Sequence, residues 1–329
     1  MHNHQTLKPN NIYLGDNRKL LPLIERDSIA LSVWSPPYFV GKSYEKDLTF
    51  QEWQDLLREV ISLHYPIIKP GGFVAINIGD ILAFEDPNMP RFQADLVSRK
   101  KRKDVTREKI LEVLQQHPDW NKYKLAEYFG CSEQTIERRL KGNNIRGGKY
   151  ATQTKVKLVG GLIEQWAEAA GFYLYDRRVW VKDPAWANCQ WHSSSYKSVD
   201  EFEYIYILWK PGPTTVDREK LDKSEWAAWG SRGVWYIRSV RANDDHEAKF
   251  PLELPMRLIR LLSNPEDIIL DPFLGSGTTA VAAIKTGRRF IGIEIMPHYF
   301  ELAKKNIEAE MSRHQLLDSK EESLLQPLF

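Results

Sequence analysis

Residues 267–284 read DIILDPFLGSGTTAVAAI, and this stretch decides the fold. A short apolar run over 267–270 has the composition of a buried strand. It ends at Asp271-Pro272. Gly275 and Gly277 allow a tight turn with close backbone approach to a ligand, and a helix begins at about Thr278. The following segment, RRFIGIE, is a second strand that ends in Glu294. An acid roughly 20 residues beyond such a turn accepts the hydroxyl protons of a ribose. No Lys follows the last glycine, so the turn is not a phosphate-binding P-loop. Turn, strand and acid in register predict a nucleoside-containing cofactor held outside the strand ends.

The same alternation extends in both directions. Residues 29–34 (IALSVW) form a strand ending at two prolines. Residues 50 to about 69 have helical spacing through Trp53, Leu56, Leu57, Val60, Ile61 and Leu63, with Pro70-Gly71-Gly72 as the expected stop. Residues 73–78 (FVAINI) are the next strand. After a break, a helix near 157–170 and strands over 173–181 and 203–209 resume the pattern. Residues 214–245 read as polar and irregular. A helix over 253–263 precedes the Gly-rich turn, and one over 297–310 ends the core. Residues after about Ser312 are expected to fray. Strand, helix, strand at this spacing predicts an α/β fold with a parallel sheet and crossover helices.

Composition agrees with a folded, water-soluble chain. Hydrophobic residues make up 42% and charged residues 27% of the 329, which excludes global disorder. No run reaches the roughly 20 apolar residues of a membrane span, and the first residues have no secretory apolar core. Two cysteines, Cys131 and Cys189, supply neither a disulfide framework nor a zinc cluster, so a cytoplasmic protein without a metal is expected. Most of the 11 Trp are expected in the core or its rim, with some facing a flat aromatic ligand. The charge is uneven. Residues 91–150 hold 15 Lys/Arg against 8 Asp/Glu, an excess of seven in a chain whose net charge is +2. The remainder is therefore net negative, and the basic segment suits a polyanion.

A second motif, Ser35-Pro36-Pro37-Tyr38, follows the strand over 29–34 directly. Two prolines fix φ and remove two backbone donors. What remains is a stiff loop with carbonyl acceptors, a hydroxyl and an aromatic ring. Acceptors hold the N–H groups of an aromatic amine, and the ring stacks on a base. Such acceptors also favour the positive charge that develops on the amine during attack. A loop for an amine and a loop for a nucleoside cofactor together imply group transfer to an amine.

With SPPY preceding DPFLGSGTT, residues 10–90 and 151–310 resemble the β-class amino-methylating DNA methyltransferases. The resemblance implies a Rossmann-like methyltransferase fold with circularly permuted motif order. It implies S-adenosyl-L-methionine as cofactor, with S-adenosyl-L-homocysteine as product. Ser35, Pro36, Pro37 and Tyr38 would bind and orient a flipped-out base. Asp271, Pro272, Phe273, Gly275, Gly277 and Thr278 would surround the methionine part of the cofactor, and Glu294 its ribose. HEAKFPLEL (246–254) resembles the family segment before the Gly-rich loop, adding Phe250 and Pro251. LGDN (14–17) resembles the segment whose acid binds the adenine amine, adding Asp16. Asn77-Ile78-Gly79-Asp80 and EYIYILWKPG match supporting strands. Ser at the first motif position resembles the cytosine-N4 enzymes, while Asp resembles the adenine-N6 enzymes, so cytosine N4 is favoured with adenine N6 as the alternative. Methylation at cytosine C5 needs a nucleophilic Cys, and neither Cys131 nor Cys189 has that setting.

Residues 106–141 read TREKILEVLQQHPDWNKYKLAEYFGCSEQTIERRLK. Ile110, Leu111, Val113 and Leu114 make one apolar face. A second helix covers 124–129, Gly130 permits a turn, and Ser132 can cap a third helix. Ala126, Gly130 and Ile136 fall at the spacing of a helix-turn-helix, which the segment resembles. The resemblance places the third helix in a DNA major groove, with Gln134, Thr135, Glu137, Arg138, Arg139 and Lys141 as readers of duplex DNA. Lys101, Arg102 and Lys103 suit phosphates.

The resulting organisation is a catalytic core over 1–92, 150–213 and 246–311. A helical insertion occupies 93–149, a small recognition region 214–245, and a tail 312–329. Segment 186–196 holds Trp186, Trp191, His192 and Tyr196, which suit either a base pocket or core packing. Such enzymes commonly act beside a cognate restriction endonuclease, and a homodimer is compatible with the sequence. A methyltransferase acting on a protein amide or on RNA is one competing class, and a DNA-binding regulator with a decayed enzyme domain is another. Decay would damage the two motifs, and both are intact.

Overall fold

The structure is a computed structural model that describes residues 6–38, 49–79, 81–85, 104–140, 154–184, 201–240 and 251–325. Phe250, Lys141, Lys101, Arg102, Lys103, Cys189, and Trp186, Trp191, His192 and Tyr196 lie outside the described residues. The described residues divide into two compact units. The first lies within Met1–Leu82, Val156–Pro184 and Asp200–Phe329, and the second within Ala83–Lys155 and Ala185–Val199.

The elements of the chain are β1 (Asn11–Leu14), α1 (Asn17–Leu20), β2 (Ile29–Trp34), α2 (Phe50–His64), β3 (Ile68–Ile78) and β4 (Ile81–Glu85). Three helices follow, α3 (Arg107–Gln116), α4 (Lys122–Tyr128) and α5 (Glu133–Leu140). The chain then forms β5 (Thr154–Leu158), α6 (Gly160–Ala170), β6 (Tyr173–Val181), β7 (Phe202–Trp209), α7 (Lys223–Glu225) and β8 (Val234–Tyr236). It ends with α8 (Glu253–Leu262), β9 (Ile268–Asp271), α9 (Thr278–Lys285), β10 (Arg289–Glu294) and α10 (Pro297–Leu325). Among the described residues no helix is long and apolar enough to cross a membrane.

Eight strands form one sheet in the order β1-β10-β9-β2-β3-β7-β6-β8. From β1 to β3 all neighbours are parallel. β7 runs antiparallel to both β3 and β6, and β8 is parallel to β6. The chain leaves β2 toward β3 but leaves β9 toward β10, in the opposite direction across the sheet. The boundary between β2 and β9 is therefore a topological switch point, where a crevice opens beyond the carboxyl ends.

All six residues of β2 are buried. Leu31 and Val33 join a core with Leu254, Leu258 and Ile259 of α8, Ala280, Ala282 and Ala283 of α9, and Ala303 and Ile307 of α10. Ser32 and Trp34 meet His64 of α2. Alternate residues thus face helices on opposite sides of the sheet, which explains the unbroken apolar run.

Four local expectations are corrected. Helix α2 ends at His64, not near Lys69. Pro66 has no N–H to continue the ladder, and residues 70–72 lie inside β3 at an irregularity opposite Ala30. Leu111 is 39% exposed, because it stands about 100° around α3 from Ile110. Residues 214–240 are not merely irregular. They carry α7, one π-helical turn over Trp226–Gly230, and β8, which extends the main sheet. Buried Trp229 and Trp235 anchor them, and Trp180 Nε1 donates to the Ile237 carbonyl at 2.7 Å. The last helix continues to Leu325 instead of fraying after Ser312, since neither Gly nor Pro interrupts it.

In the second unit, α3, α4 and α5 surround Val105, Ile110, Val113, Leu125, Ala126 and Ile136. Gly130 takes φ +56° in the turn between α4 and α5, and Ile136 is fully buried. The spacing of Ala126, Gly130 and Ile136 is thus realised as two buried side chains and a left-handed turn.

Gly71 offers a direct test of the β3 irregularity. Its φ is +83°, and a Cβ there would sit 2.0 Å from the Pro213 carbonyl oxygen. The substitution Gly71→Ala is expected to lower stability by about 3 kcal/mol or more, measured by urea unfolding.

Candidate active site

Two loops meet where β2 and β9 end side by side. The first, residues 35–38, leaves β2, and the second, residues 272–277, leaves β9. Trp34, the last residue of β2, packs against Phe273 of the second loop with ring centroids 5.3 Å apart. It also stacks on His64 at 5.7 Å. Burial pushes the His64 imidazole down to about 4, so the ring is neutral at physiological pH. Its Nδ1–H donates to the Val60 carbonyl at 2.6 Å, which leaves Nε2 to accept from Ser32 at 2.9 Å. His64 is a packed support for Trp34, not a base.

The first loop is pinned from both sides. Trp53 Nε1 donates to the Pro37 carbonyl at 2.7 Å, fastening the loop to α2. Ser35 Oγ donates to the Tyr38 hydroxyl oxygen at 2.8 Å. With its one proton committed, Ser35 Oγ is left as an acceptor. The Tyr38 oxygen also accepts from Asn77 Nδ2 at 2.8 Å and donates to Glu203 Oε2 at 2.7 Å. Asn77 Nδ2 reaches the same carboxylate oxygen at 2.7 Å, and Lys182 Nζ donates to Glu203 Oε1 at 2.7 Å. Sequence reasoning assigns Asn77 and the strand bearing Glu203 to support and passes over Lys182. These residues stand on or just after β3, β7 and β6, and nothing in their local patterns joins them to Tyr38.

The second loop is built on two left-handed glycines, Gly275 at φ +53° and Gly277 at φ +87°. Gly277 caps α9, and Thr278 is that helix's first residue. A Cβ on Gly277 would lie 3.2 Å from Ala303 of α10, so the turn also lets two helices close up. Glu294 ends β10 beside this loop. Its Oε2 accepts from the Gly275 N–H at 2.7 Å and its Oε1 from the Met296 N–H at 2.8 Å. Burial raises this carboxyl above its ordinary value despite those bonds. Asp271 is buried and accepts from the Phe273 N–H at 2.9 Å. Burial pushes its carboxyl up to about 7, against hydrogen bonds from Thr279 and Phe273 and with a smaller push from Glu294.

Asp16 lies at the end of β1, tied to the same place. The Gly15 N–H donates to the Glu294 carbonyl at 2.8 Å, and Asn17 Nδ2 donates to the Pro272 carbonyl at 3.0 Å. Asp16 itself caps α1 and pairs with the Arg18 guanidinium at 2.8 Å, which holds its carboxyl below the usual range. Pro251 is buried at the head of α8, and α8 packs on α9.

The expected DNA-reading residues stand on α5. Gln134 is exposed and accepts from Arg138 Nη2 at 3.2 Å. The Thr135 and Ser132 hydroxyls are 3.0 Å apart, and Thr135, Glu137, Arg138 and Arg139 are half-buried.

The arrangement matches known proteins. A family model described as DNA methylase covers residues 29–305. The chain is 65% identical over 308 residues to the type II methyltransferase M.BglI of Bacillus subtilis, covering 94% of this chain and 88% of that protein. It is 48% identical over 309 residues to the type II methyltransferase M.ScaI of Streptomyces caespitosus, covering 91% and 81%. Among solved structures, a Thermus thermophilus protein classed as a DNA modification methylase, complexed with S-adenosyl-L-methionine, aligns with a TM-score of 0.59. It is 25% identical, with 92% of this chain and 94% of that chain covered. The PvuII cytosine-N4-specific DNA methyltransferase shares the fold at a TM-score of 0.56 and 17% identity, with 94% of each chain covered. The chain belongs to the DNA methylase family, as a β-class amino-methyltransferase. It is a DNA-methylating enzyme.

The buried acids carry a pH signature. A carboxyl raised in the folded state binds a proton that the unfolded chain has lost, so stability falls as pH rises. For Asp271 the loss runs from its ordinary value near 3.8 through about 7. The full shift corresponds to at most about 4 kcal/mol. In the ligand-free protein, Asp271→Asn is expected to flatten the decline in urea-unfolding free energy between pH 5 and pH 8. Glu294 contributes in the same direction, so some slope remains.

Proposed function

We propose that the chain transfers a methyl group from S-adenosyl-L-methionine to the exocyclic N4 amine of a cytosine flipped out of duplex DNA at a specific site. The observation that carries this reading is the meeting of two loops at one switch point. An amine-holding loop and a Gly-rich loop end adjacent parallel strands, and Trp34 and Phe273 touch between them. In that geometry a base on the first loop lies next to a cofactor on the second. The same reading takes the chain order, with residues 35–38 before residues 271–278, as a circular permutation of the Rossmann-like methyltransferase fold.

The residues of the second loop fit the cofactor by their chemistry. Asp271 and Glu294 are acids whose burial disfavours charge. A ligand with a cationic sulfonium, an ammonium and two vicinal hydroxyls supplies the missing partners. Asp271, Pro272, Phe273, Gly275, Gly277, Thr278 and Pro251 would hold its methionine part, Glu294 its ribose and Asp16 its adenine amine. When bound, S-adenosyl-L-methionine supplies an electrophilic methyl group.

The chain's own residues orient the amine. Ser35 Oγ, having given its proton to Tyr38, accepts an N–H of the target and favours the nucleophilic geometry of the nitrogen. Pro36 and Pro37 keep the loop stiff, and Tyr38 backs the acceptor. Extracting the base from the stack costs a few kcal/mol, roughly, which contacts in the pocket offset. The neutral, fully buried His64 is not available as a base, so the proton leaves after transfer, through Ser35 or to water.

The second unit supplies the reader in this proposal. The α4–turn–α5 segment is taken as a helix-turn-helix with Gln134, Thr135, Arg138, Arg139 and Lys141 toward the DNA. Gln134 suits adenine and Arg138 suits guanine or phosphate. Relatives named as type II methyltransferases support a restriction-modification context with a cognate endonuclease.

Incubation with genomic DNA and labelled S-adenosyl-L-methionine, followed by digestion to nucleosides, is expected to place the label in N4-methylcytosine. Label in N6-methyladenine would overturn the choice of base while keeping the chemistry. For the reader, the double substitution Gln134→Ala, Arg138→Ala is expected to lower kcat/KM on the preferred site roughly 10- to 100-fold with cofactor affinity unchanged. Methylation of the same sites at an unchanged rate would remove α5 from site selection.

A further inference from the structure

We propose that Glu203 is a positioning residue for methyl transfer: through Tyr38 it fixes Ser35 as a hydrogen-bond acceptor for the target amine. The inference rests on the reading of residues 35–38 as the amine-holding loop.

Glu203 lies 165 residues from Tyr38 in the chain. The antiparallel pairing of β7 with β3 and β6 brings it behind the loop, opposite Trp180 and two residues from Ile205, the partner of Asn77. It is 6% exposed, an unfavourable place for a carboxylate unless its oxygens are satisfied. Lys182 on Oε1 alone would complete an ordinary buried ion pair. Oε2, however, gathers the Tyr38 hydroxyl and the Asn77 amide, both at 2.7 Å. Asn77 is held in this knot with its own Oδ1 buried and without a donor among the described residues. Side-chain placement at this point serves the carboxylate and the tyrosine first.

The direction of the hydrogen bonds carries the argument. A tyrosine hydroxyl has one proton. With that proton on Glu203, the Tyr38 oxygen can only accept, and it accepts from Ser35 at 2.8 Å. The Ser35 proton is thereby turned away from the substrate, and its lone pairs stay open to an amine N–H. Without the carboxylate, the Tyr38 proton can turn to the Asn77 carbonyl at 3.2 Å or toward Ser35. In the latter case Ser35 turns its own proton outward and meets the amine donor to donor. The anionic end also polarises the chain of bonds toward the positive charge that grows on the attacking nitrogen. The acceptor that the motif supplies is thus set by a residue two strands away in the sheet.

The test compares the full-length protein with Glu203→Gln, Tyr38→Phe and the double variant, measuring kcat, KM for DNA and cofactor affinity. Glu203→Gln is expected to lower kcat about tenfold, with KM for DNA within about threefold and cofactor affinity unchanged. In the Tyr38→Phe background the same substitution is expected to change kcat by less than about twofold, because the link to Ser35 is already cut. A merely structural role would give additive losses. Glu203→Asp keeps the charge beside Lys182 but is one methylene too short to hold its oxygen against the Tyr38 hydroxyl. It is expected to lower kcat likewise, and it decides the matter if Glu203→Gln does not fold. Unchanged kcat in a folded Glu203 variant, or a loss undiminished in the Tyr38→Phe background, overturns the inference. A parent protein that transfers no methyl to a DNA amine overturns instead the reading of the loop on which it rests.

Discussion

The parallel pairing of β2 with β9 is the constraint on which the first unit depends. These strands are separated by more than two hundred residues in the chain, yet they are neighbours at the centre of the sheet. Because one feeds a crossover toward β3 and the other toward β10, a crevice opens above their shared end. That opening receives both loops. Trp34 then does what backbone hydrogen bonds cannot: its ring bridges from His64 beneath the sheet end to Phe273 in the Gly-rich loop. A shift of either strand by one residue would exchange its inward and outward side chains, and the loops would no longer meet.

Each loop is backed by a buried acid system of different character. Beside the Gly-rich loop, Asp271 and Glu294 accept backbone N–H groups and stay hard to ionise. In the proposed function they form a site whose energy improves when the positively charged, hydroxyl-bearing cofactor arrives. Behind the loop over 35–38, Glu203 is neutralised in advance by Lys182 and surrounded by donors. The first system is completed by its ligand. The second is complete without one, and what it exports is an orientation, the acceptor lone pairs of Ser35. In the proposed function the same side-chain chemistry serves binding in one place and alignment in the other, according to which partners the fold supplies.

The three helices of the second unit have their own small core, and the main sheet has another. Ile136, Ala126 and Leu125 are buried among α3, α4 and α5, with Gly130 reversing the chain between the last two helices. The basic excess of residues 91–150 is carried by 91–103 and 141–150, outside the described residues, since 104–140 hold 6 Lys/Arg against 7 Asp/Glu. Residues 214–240, by contrast, belong to the sheet. Arg178 of β6 donates to the Gly230 carbonyl at 3.1 Å, fastening that segment to the β6 edge, and within the segment Trp235 Nε1 donates to the Trp229 carbonyl at 2.8 Å.

By itself the sequence determined the strand–turn–helix at the Gly-rich loop, the proline-stiffened loop after β2, the alternation of strands and helices, and the three-helix insert. All rest on signals within a few residues: periodicity, glycines that take positive φ, prolines without N–H. Where such a signal was present but outranked, the boundary slipped, as at Pro66, masked by the more conspicuous Pro70-Gly71-Gly72. Only the tertiary structure decided that β7 runs antiparallel between β3 and β6, that β8 joins the sheet, and that Glu203, Asn77 and Lys182 stand behind Tyr38. The physical reason is that strand pairing between distant segments fixes which side chains meet. A polar residue carries no local mark of the partner it will find across the sheet, whereas a turn or a helix face is written in its immediate neighbours.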